Sequence, residues 1–454
     1  MAMSSSAVTG KANEVWKSGN LSRAKMRRLA RYARGQQKLP WLPDSTDGEY
    51  REIAKKSASN WIDLVIRSTT QGLFVDGYGD STDSDLWTQV WQPNGMDARQ
   101  HALHRAVETL GVSYLLAFPT EEDGVWMRPE AATKLTASYE DPSDDWPVYA
   151  VREVVKDKRW ELYTDEARYT LTGRMGRNLQ LVDTAPHGLD HAPVVAMRSS
   201  LDLLGDEQGQ VEGIIPIQDR IVDATFTMQM VAKYGAFPQR WIAGIDMAKP
   251  LEDENGDVIT DADGNPRYPT IKAYIDSILL AADPEAKFGQ FAAADLRQYV
   301  EALEAHIRHL AAVTQTPPHY LLGSLVNLSA EALAAAEAGL QRKIGEKKVV
   351  LGEGYEQAMR LGAVILGETD AAEDFSSQVR WRDIESRSLA QVADAFLKLT
   401  QMGVPVEFLV AKLPGFTGQD VTDITEAIEA QGGVTALVQG LLEGQIPKPE
   451  PLAA

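Results

Sequence analysis

The chain contains no cysteine. That absence removes disulfides, thiol nucleophiles and cysteine-based zinc sites, and it fits assembly in a reducing cytoplasm. Long apolar runs are also missing: no uninterrupted stretch reaches the roughly 18 residues that a membrane-spanning helix needs. The opening residues, MAMSSSAVTGKANEVW, lack the basic segment and apolar core of a signal peptide. Basic charge is scarce, with 45 Lys and Arg against 65 Asp and Glu, a net charge of −20 and a pI near 4.9. Tight binding to nucleic acid depends on Lys and Arg meeting phosphates, so this balance argues against it. An acidic surface does suit DNA that must pass without sticking. Catalytic signatures are absent as well. There is no G-x-x-x-x-G-K-[ST], no G-x-S-x-G and no H-E-x-x-H, and no acid/base couple stands out by spacing.

What is present is an ordinary globular composition, 44% hydrophobic and 24% charged, over 454 residues. That length predicts two or more structural regions. Residues 1–12 are small and polar and are expected to be disordered. A basic helix is predicted over 13–34, with Lys25, Arg27, Arg28, Arg31 and Arg34 close together. Helices follow over 50–70 and 84–111, the latter broken at Pro93-Asn94-Gly95. From 112 to 198 the period becomes strand-like, with a hairpin around Lys156-Asp157-Lys158. A helix returns at 208–234, with Pro216 near its start. A mixed segment fills 235–291, with turns at Asn255-Gly256 and Asp263-Gly264. Helices are predicted at 292–313 and 329–361, separated by TQTPPHYLLGSLVNL. Ser329 is the expected N-cap of the second, and Leu328 and Leu333 its hydrophobic staple. Gly339, Gly345, Gly352 and Gly354 are expected to interrupt that long helix. VRWRDI reads as a strand, and helices follow at 386–402 and near 420–443.

The seven histidines fall as His101/His104, His187/His191, His306/His309 and His319. None of the pairs carries the glutamate of a zinc protease, and packing or solvent roles fit them better. The acidic stretch 253–265 hints at calcium, but an EF-hand needs glycine at position six. Counting from Asp261 that position is Pro266, and from Asp253 it is Val258, so a turn-rich acidic hairpin is the reading. No cofactor and no metal are expected.

The order of elements carries more information than any motif. YARGQQKLP, SASNWIDLVIRSTTQGLFVDG, ASYEDPSDDWPVYAVREV, ELYTDEARYTL, HAPVVAMRSS, EGIIPIQDRIVDATFTMQM, TQTPPHYLLG, SAEALAAAEAGLQRK and WRDIESRSLAQVADAFLKLTQMGVPVEFL succeed one another from about 13 to 443. In this order the chain resembles the portal proteins of tailed bacteriophages, of the siphophage type. The resemblance implies an α+β, mainly helical portal fold. Its wing would span 13–207, with a return at 362–385. Stem helices would lie at 208–234 and 292–313, a clip at 235–291 and a tunnel loop at 314–328. A long tunnel helix would occupy 329–361, and a small helical crown with a flexible tail 386–454. It implies no enzymatic activity, because ATP hydrolysis belongs to the terminase motor. It implies a ring, expected to be a dodecamer, at one capsid vertex of the virion and assembled in the host cytoplasm. The expected partners are the large terminase, a head-tail adaptor, the major capsid protein, a scaffold protein and double-stranded DNA passing non-specifically, with no membrane. The constriction is expected at Pro317, Pro318, Leu321, Leu322, Leu325 and Val326, unless these residues pack between stem and wing. Basic residues facing DNA are expected among Arg297, Arg308, Arg342, Lys343, Lys347 and Lys348, with salt bridging between subunits as their other use. The rival readings are another phage ring or adaptor and a helical-cap enzyme.

Overall fold

The computed structural model describes residues 3–44, 48–79, 86–202, 208–235, 240–243, 250, 256–261, 264–267, 287–290, 295–323, 330–382, 389–404, 409 and 424. The chain opens with α1 (Ser5–Ser18) and α2 (Asn20–Ala33). Residues 5–12 are therefore helical, not disordered as expected. Burial is the reason: Val8, Ala12 and Val15 share one covered face. Ser4 caps the helix by accepting a hydrogen bond from the Ala7 N–H. The single helix expected over 13–34 breaks at Gly19, where a Cβ would collide with Arg23 and Thr136. Arg23 is itself buried. It donates to the Trp16 carbonyl and the Asn20 side chain, and its guanidinium lies 3.5 Å from the Trp16 ring centre.

The helix expected over 50–70 is also two, α3 (Gly48–Ser57) and α4 (Trp61–Thr70). Asn60 separates them, its side-chain oxygen capping α4 by accepting from the Asp63 N–H at 3.2 Å. Strand β1 (Val75–Tyr78) and a π-helical turn (Trp87–Trp91) lead to α5 (Met96–Leu110). Between the last two, Gly95 takes a φ of 59°. The buried Asn94 donates to the Val90 and Val125 carbonyls, both at 2.7 Å, and accepts from the Met127 N–H at 2.8 Å. A buried amide satisfied on both ends in this way fixes the break in one geometry.

The strand-like region gives β2 (Val112–Pro119), β3 (Val125–Ala131), β4 (Leu135–Ser138), β5 (Tyr149–Val155), β6 (Arg159–Tyr163), β7 (Ala167–Thr172), β8 (Gln180–Pro186) and β9 (Val194–Arg198). They form two antiparallel sheets, ordered β3-β2-β9 and β4-β5-β6-β7-β8. The β5–β6 hairpin turns at Asp157 with a φ of 55°. Beyond β9 come α6 (Gln210–Gly235), β10 (Arg240–Ala243), β11 (Lys287–Gln290), α7 (Leu296–Val313), α8 (Pro318–Leu322), α9 (Ala330–Leu366), α10 (Thr369–Ala372), β12 (Val379–Trp381) and α11 (Leu389–Gln401). Pro216 lies inside α6, not at its first position, so the Glu212 carbonyl has no i+4 N–H to accept from. The long helix is continuous for 37 residues, without the interruption expected at its glycines. At Gly354 a Cβ would sit 2.6 Å from the Met197 Sδ, so the missing side chain lets α9 approach β9. Ser329 and Leu328 lie outside the described residues, as does the helix expected near 420–443, of which only residue 424 is described.

The chain divides into two units. The first comprises Met1–Gln37, Asn60–Pro216 and Leu310–Ala454. It holds two apolar clusters. In one, α1 covers the five-stranded sheet, with Val8, Ala12 and Val15 against Val151, Trp160 and Leu162. In the other, α9 runs over β2 and β9, and Leu340, Ile344, Leu351, Tyr355 and Ala358 meet Trp91, Leu103, Leu115 and Met197. Strand β1 pairs antiparallel with β12, and Arg380 donates to Asp76 at 3.1 Å across 304 positions of sequence.

The second unit comprises Lys38–Ser59 and Ile217–His309. It contains α3, most of α6 and α7, and an antiparallel ribbon of β10 with β11. Lys233 pairs with Glu49, and Arg220 lies 3.5 Å from His309 Nδ1. Thr260 bridges to Pro266 around a turn in which Asp261 accepts from the Asn265 N–H at 2.9 Å. The described part of the acidic stretch is thus a hairpin turn, and residues 251–255 and 262–263 lie outside the described set.

Candidate functional site at the exit of α7

Helix α7 ends in a left-handed turn. Gln315 takes a φ of 52°, a position that usually selects glycine. Its N–H reaches the Ala312 carbonyl at 3.3 Å, and the Thr316 N–H reaches Ala311 at 3.0 Å, the paired bonds of a Schellman ending. The Thr314 hydroxyl donates back to the Leu310 carbonyl at 2.8 Å. Pro317 then caps α8 with a φ of −54°, and Pro318 is its first residue. Gly323 closes α8 at a φ of 66°.

Of the residues expected at a constriction, Pro317 and Leu321 are buried, and α8 lies against α4. These two pack inside the unit instead of lining an open surface. The physical reason is the ordinary one: a loop keeps large apolar groups out of water. Pro318 is exposed, Leu322 half-buried, and Leu325 and Val326 lie outside the described residues. Tyr320 is exposed and donates to Glu337 at 3.3 Å.

The six basic residues divide sharply. Arg297 and Arg308 on α7 are exposed, the first 3.6 Å from Asp295 and the second 3.2 Å from Glu304. Arg342 is exposed and donates to the Ala338 carbonyl of its own helix. Lys348 is half-buried and donates to the Arg382 carbonyl at 3.1 Å. Lys343 and Lys347 are not free to face DNA within this fold. The Lys343 ammonium donates to the Gln210 Oε1 at 2.7 Å and to the Thr314 carbonyl at 2.9 Å. Lys347, only 9% exposed, donates to the Ser199 hydroxyl at 2.7 Å and to its carbonyl, and lies 3.6 Å from Glu108.

Glu108 completes this network and is fully buried. Its Oε2 accepts from Ser199 at 3.1 Å and from the Gln210 amide at 2.6 Å. Its Oε1 has no partner among the described residues. The Thr69 hydroxyl donates to Gln210 Oε1 at 3.3 Å. Ser199 after β9 and Gln210 at the start of α6 therefore meet Glu108 of α5, and α9 joins them and Thr314, the cap of α7, through charged hydrogen bonds. Burial pushes the Lys343 ammonium down to about 8, against the pull of Glu108 and with a further push from Lys347.

One turn before Glu108 on α5, His104 is fully buried and 2.8 Å from the Tyr355 hydroxyl. Burial lowers its pKa to about 3, so the ring is neutral. Two other histidines also have partners: His187 bonds the Thr164 carbonyl at 3.0 Å, and the His191 ring lies 3.6 Å from that of Trp146, tilted by 33°. Among the described residues no cluster of His, Asp and Glu is arranged to hold a metal. The sequence reading missed Glu108, Ser199 and Gln210. A signal was available, because Lys347 falls in the apolar register Leu340, Ile344, Leu351.

Among solved structures, a chain from the neck of a native gene transfer agent particle, computed with C12 symmetry, aligns with a TM-score of 0.42. A chain from the neck of the empty particle, computed with C6 symmetry, aligns at 0.40. Both are 14% identical, and each match covers 83% of this chain and 94% of the other. The portal proteins of Mycobacterium phages D29 and L5 are each 30% identical over 362 residues, covering 74% of this chain and 71% of theirs. The family described as phage portal protein, SPP1 Gp6-like, matches residues 13–433, and the chain belongs to that family.

Proposed function

We propose that this virion-associated structural protein closes into a ring around a DNA channel at one capsid vertex, through which the genome is packaged and later ejected. The family match over 13–433 is the observation that carries this reading. The order of elements supports it: a β-rich wing, a helix, a ribbon, a second helix, a proline break and a 37-residue helix. A ring of about twelve copies is head-to-tail, so each subunit carries two different complementary faces. Twelve copies would hold a formal charge of about −240, which favours passage of phosphate over adhesion.

In this reading α6 and α7 are the stem and 235–291 the clip. Residues 314–328 are the tunnel loop, and α9 is the tunnel helix, extending to Leu366. The segment from 386 onward is the crown. Residues 13–207 form the wing, to which α1 adds its helix from Ser5. Arg297, Arg308 and Arg342 are the exposed cations assigned to DNA or to a neighbouring subunit, while Pro318 and Leu322 are the constriction residues left exposed in part. The chain does no chemistry, and the large terminase and then a head-tail adaptor dock on the clip. Scaffold and major capsid protein meet wing and crown in the host cytoplasm. No helix among the described residues is long and apolar enough to cross a membrane. Negative-stain electron microscopy with light scattering tests the central point. A ring of about twelve subunits with a central hole is expected, and a dimer or tetramer without a channel would sink the reading.

A further inference from the structure

Helix α9 sends two ammonium groups to the chain on either side of the 211–313 excursion. Lys347 holds Ser199, which precedes it. Lys343 holds Gln210 at its start and Thr314 at its end. The Thr314 carbonyl is that of the residue capping the C-terminal end of α7, where no helical N–H meets it and a cation is favoured. Immediately after it the backbone enters the left-handed conformation at Gln315, which a non-glycine residue adopts at a penalty of about 1 kcal/mol or more. Two prolines follow and stiffen the path into α8. The direction of the whole 315–323 segment is thus set at Thr314.

We propose that Lys343 is a latch: its ammonium pins the Thr314 carbonyl to Gln210, and without it residues 314–323 open locally while both sheets stay folded. The inference does not depend on ring closure, since every group in it belongs to the first unit of one chain. A competing anchor exists in Leu321, which is buried where α8 lies against α4. With Lys343 as the latch, apolar packing of α8 alone does not hold the exit of α7. The charged groups facing Lys343 are Glu108 on α5 and Lys347 on α9; a carboxylate has no hydrogen to offer a carbonyl, and Lys347 donates to Ser199.

Hydrogen exchange on the full chain, read by mass spectrometry, tests this. Lys343→Met keeps an unbranched side chain as far as its ε atom and removes the charge and donors. It is expected to speed exchange about tenfold or more in peptides covering 311–323 and 210–216, with β5, β6 and β7 unchanged. Gln210→Met removes the other leg of the latch without altering α9, and a smaller rise in the same two peptides is expected. It also provides the test if Lys343→Met fails to fold. Lys348→Met, which removes a neighbouring ammonium bonded to Arg382, is expected to leave 311–323 unchanged. Unchanged exchange at 311–323 in both latch variants would overturn the proposal. So would a uniform rise across the five-stranded sheet, which would mark a general loss of stability instead of a latch.

Discussion

Helices α5 and α9 meet through two polar pairs of opposite character. One turn of α5 carries His104, which shares a hydrogen bond with Tyr355 in a setting of Trp91 and Trp381 rings. The next turn carries Glu108, which faces Lys347. The first pair is neutral and sits where the apolar cluster is aromatic. The second is ionic and is surrounded by serine, glutamine and a second lysine. The contrast shows how the same two helices accommodate polarity in two ways. A neutral pair needs one hydrogen bond and tolerates apolar walls, whereas a buried charge needs a counter-charge and several donors.

The largest effect should come from the ionic pair. Glu108→Leu leaves the Lys347 ammonium without its counter-charge, and a loss of about 3–5 kcal/mol in urea unfolding is expected. A loss below about 1 kcal/mol would mean that Ser199 alone satisfies Lys347. Next is Tyr355→Phe, which removes the hydroxyl from His104 and should destabilise by about 1–3 kcal/mol. The two pairs should then separate by pH. His104 is held neutral in the fold, with its pKa lowered from 6.5 to about 3, so below pH 6.5 the unfolded chain binds a proton that the folded chain does not. Stability from this group is present above 6.5 and falls as the pH drops towards 3. Thermal unfolding should show the wild type losing more than His104→Gln between about pH 7 and about pH 5. Lys343 has its pKa lowered from 10.5 to about 8, which has the same sign in a higher window. Its charged form is a penalty below pH 8 that is relieved as the pH rises towards 10.5. The gap in Tm between wild type and Lys343→Met should therefore shift in favour of wild type across that range. The smallest effect is expected from Gln315→Gly, which removes the left-handed penalty and should raise stability by up to about 1 kcal/mol.

Much of the strand region was legible. VSYLLAFP is β2 from end to end, and the hairpin turn at Asp157 lies where the Lys-Asp-Lys spacing put it. Element order made the family legible too, since a chain of this kind is marked by succession and not by a catalytic signature. The start of α1 was not legible, because Ser, Val, Thr and Gly give a weak helical signal and the covered face exists only once the five-stranded sheet is present. The glycines of α9 misled for a related reason. Taken alone they weaken a helix, but at Gly354 and Gly362 the absent side chain is what allows Met197 and Val90 to come close. The lysines misled because charge was weighed before register. Lys347 occupies an apolar position of α9, and a cation in such a position is buried with partners or not at all. Gln315 carries no local signal for its left-handed conformation, which is imposed by the bonds that close α7.

The pairing of β1 with β12 has a temporal consequence. Translation at about 5–20 residues per second puts tens of seconds between the emergence of Asp76 and that of Arg380. Until then β1 lacks its one partner among the described strands, and the edge it will share with β12 stays open. A contact so distant in sequence is also slow to form, because the loop must close before the strand gains anything. A nascent chain is therefore incomplete at this edge, and a chain truncated before residue 379 lacks the strand that pairs with β1. Among the described strands, the last one made is the one that closes the first.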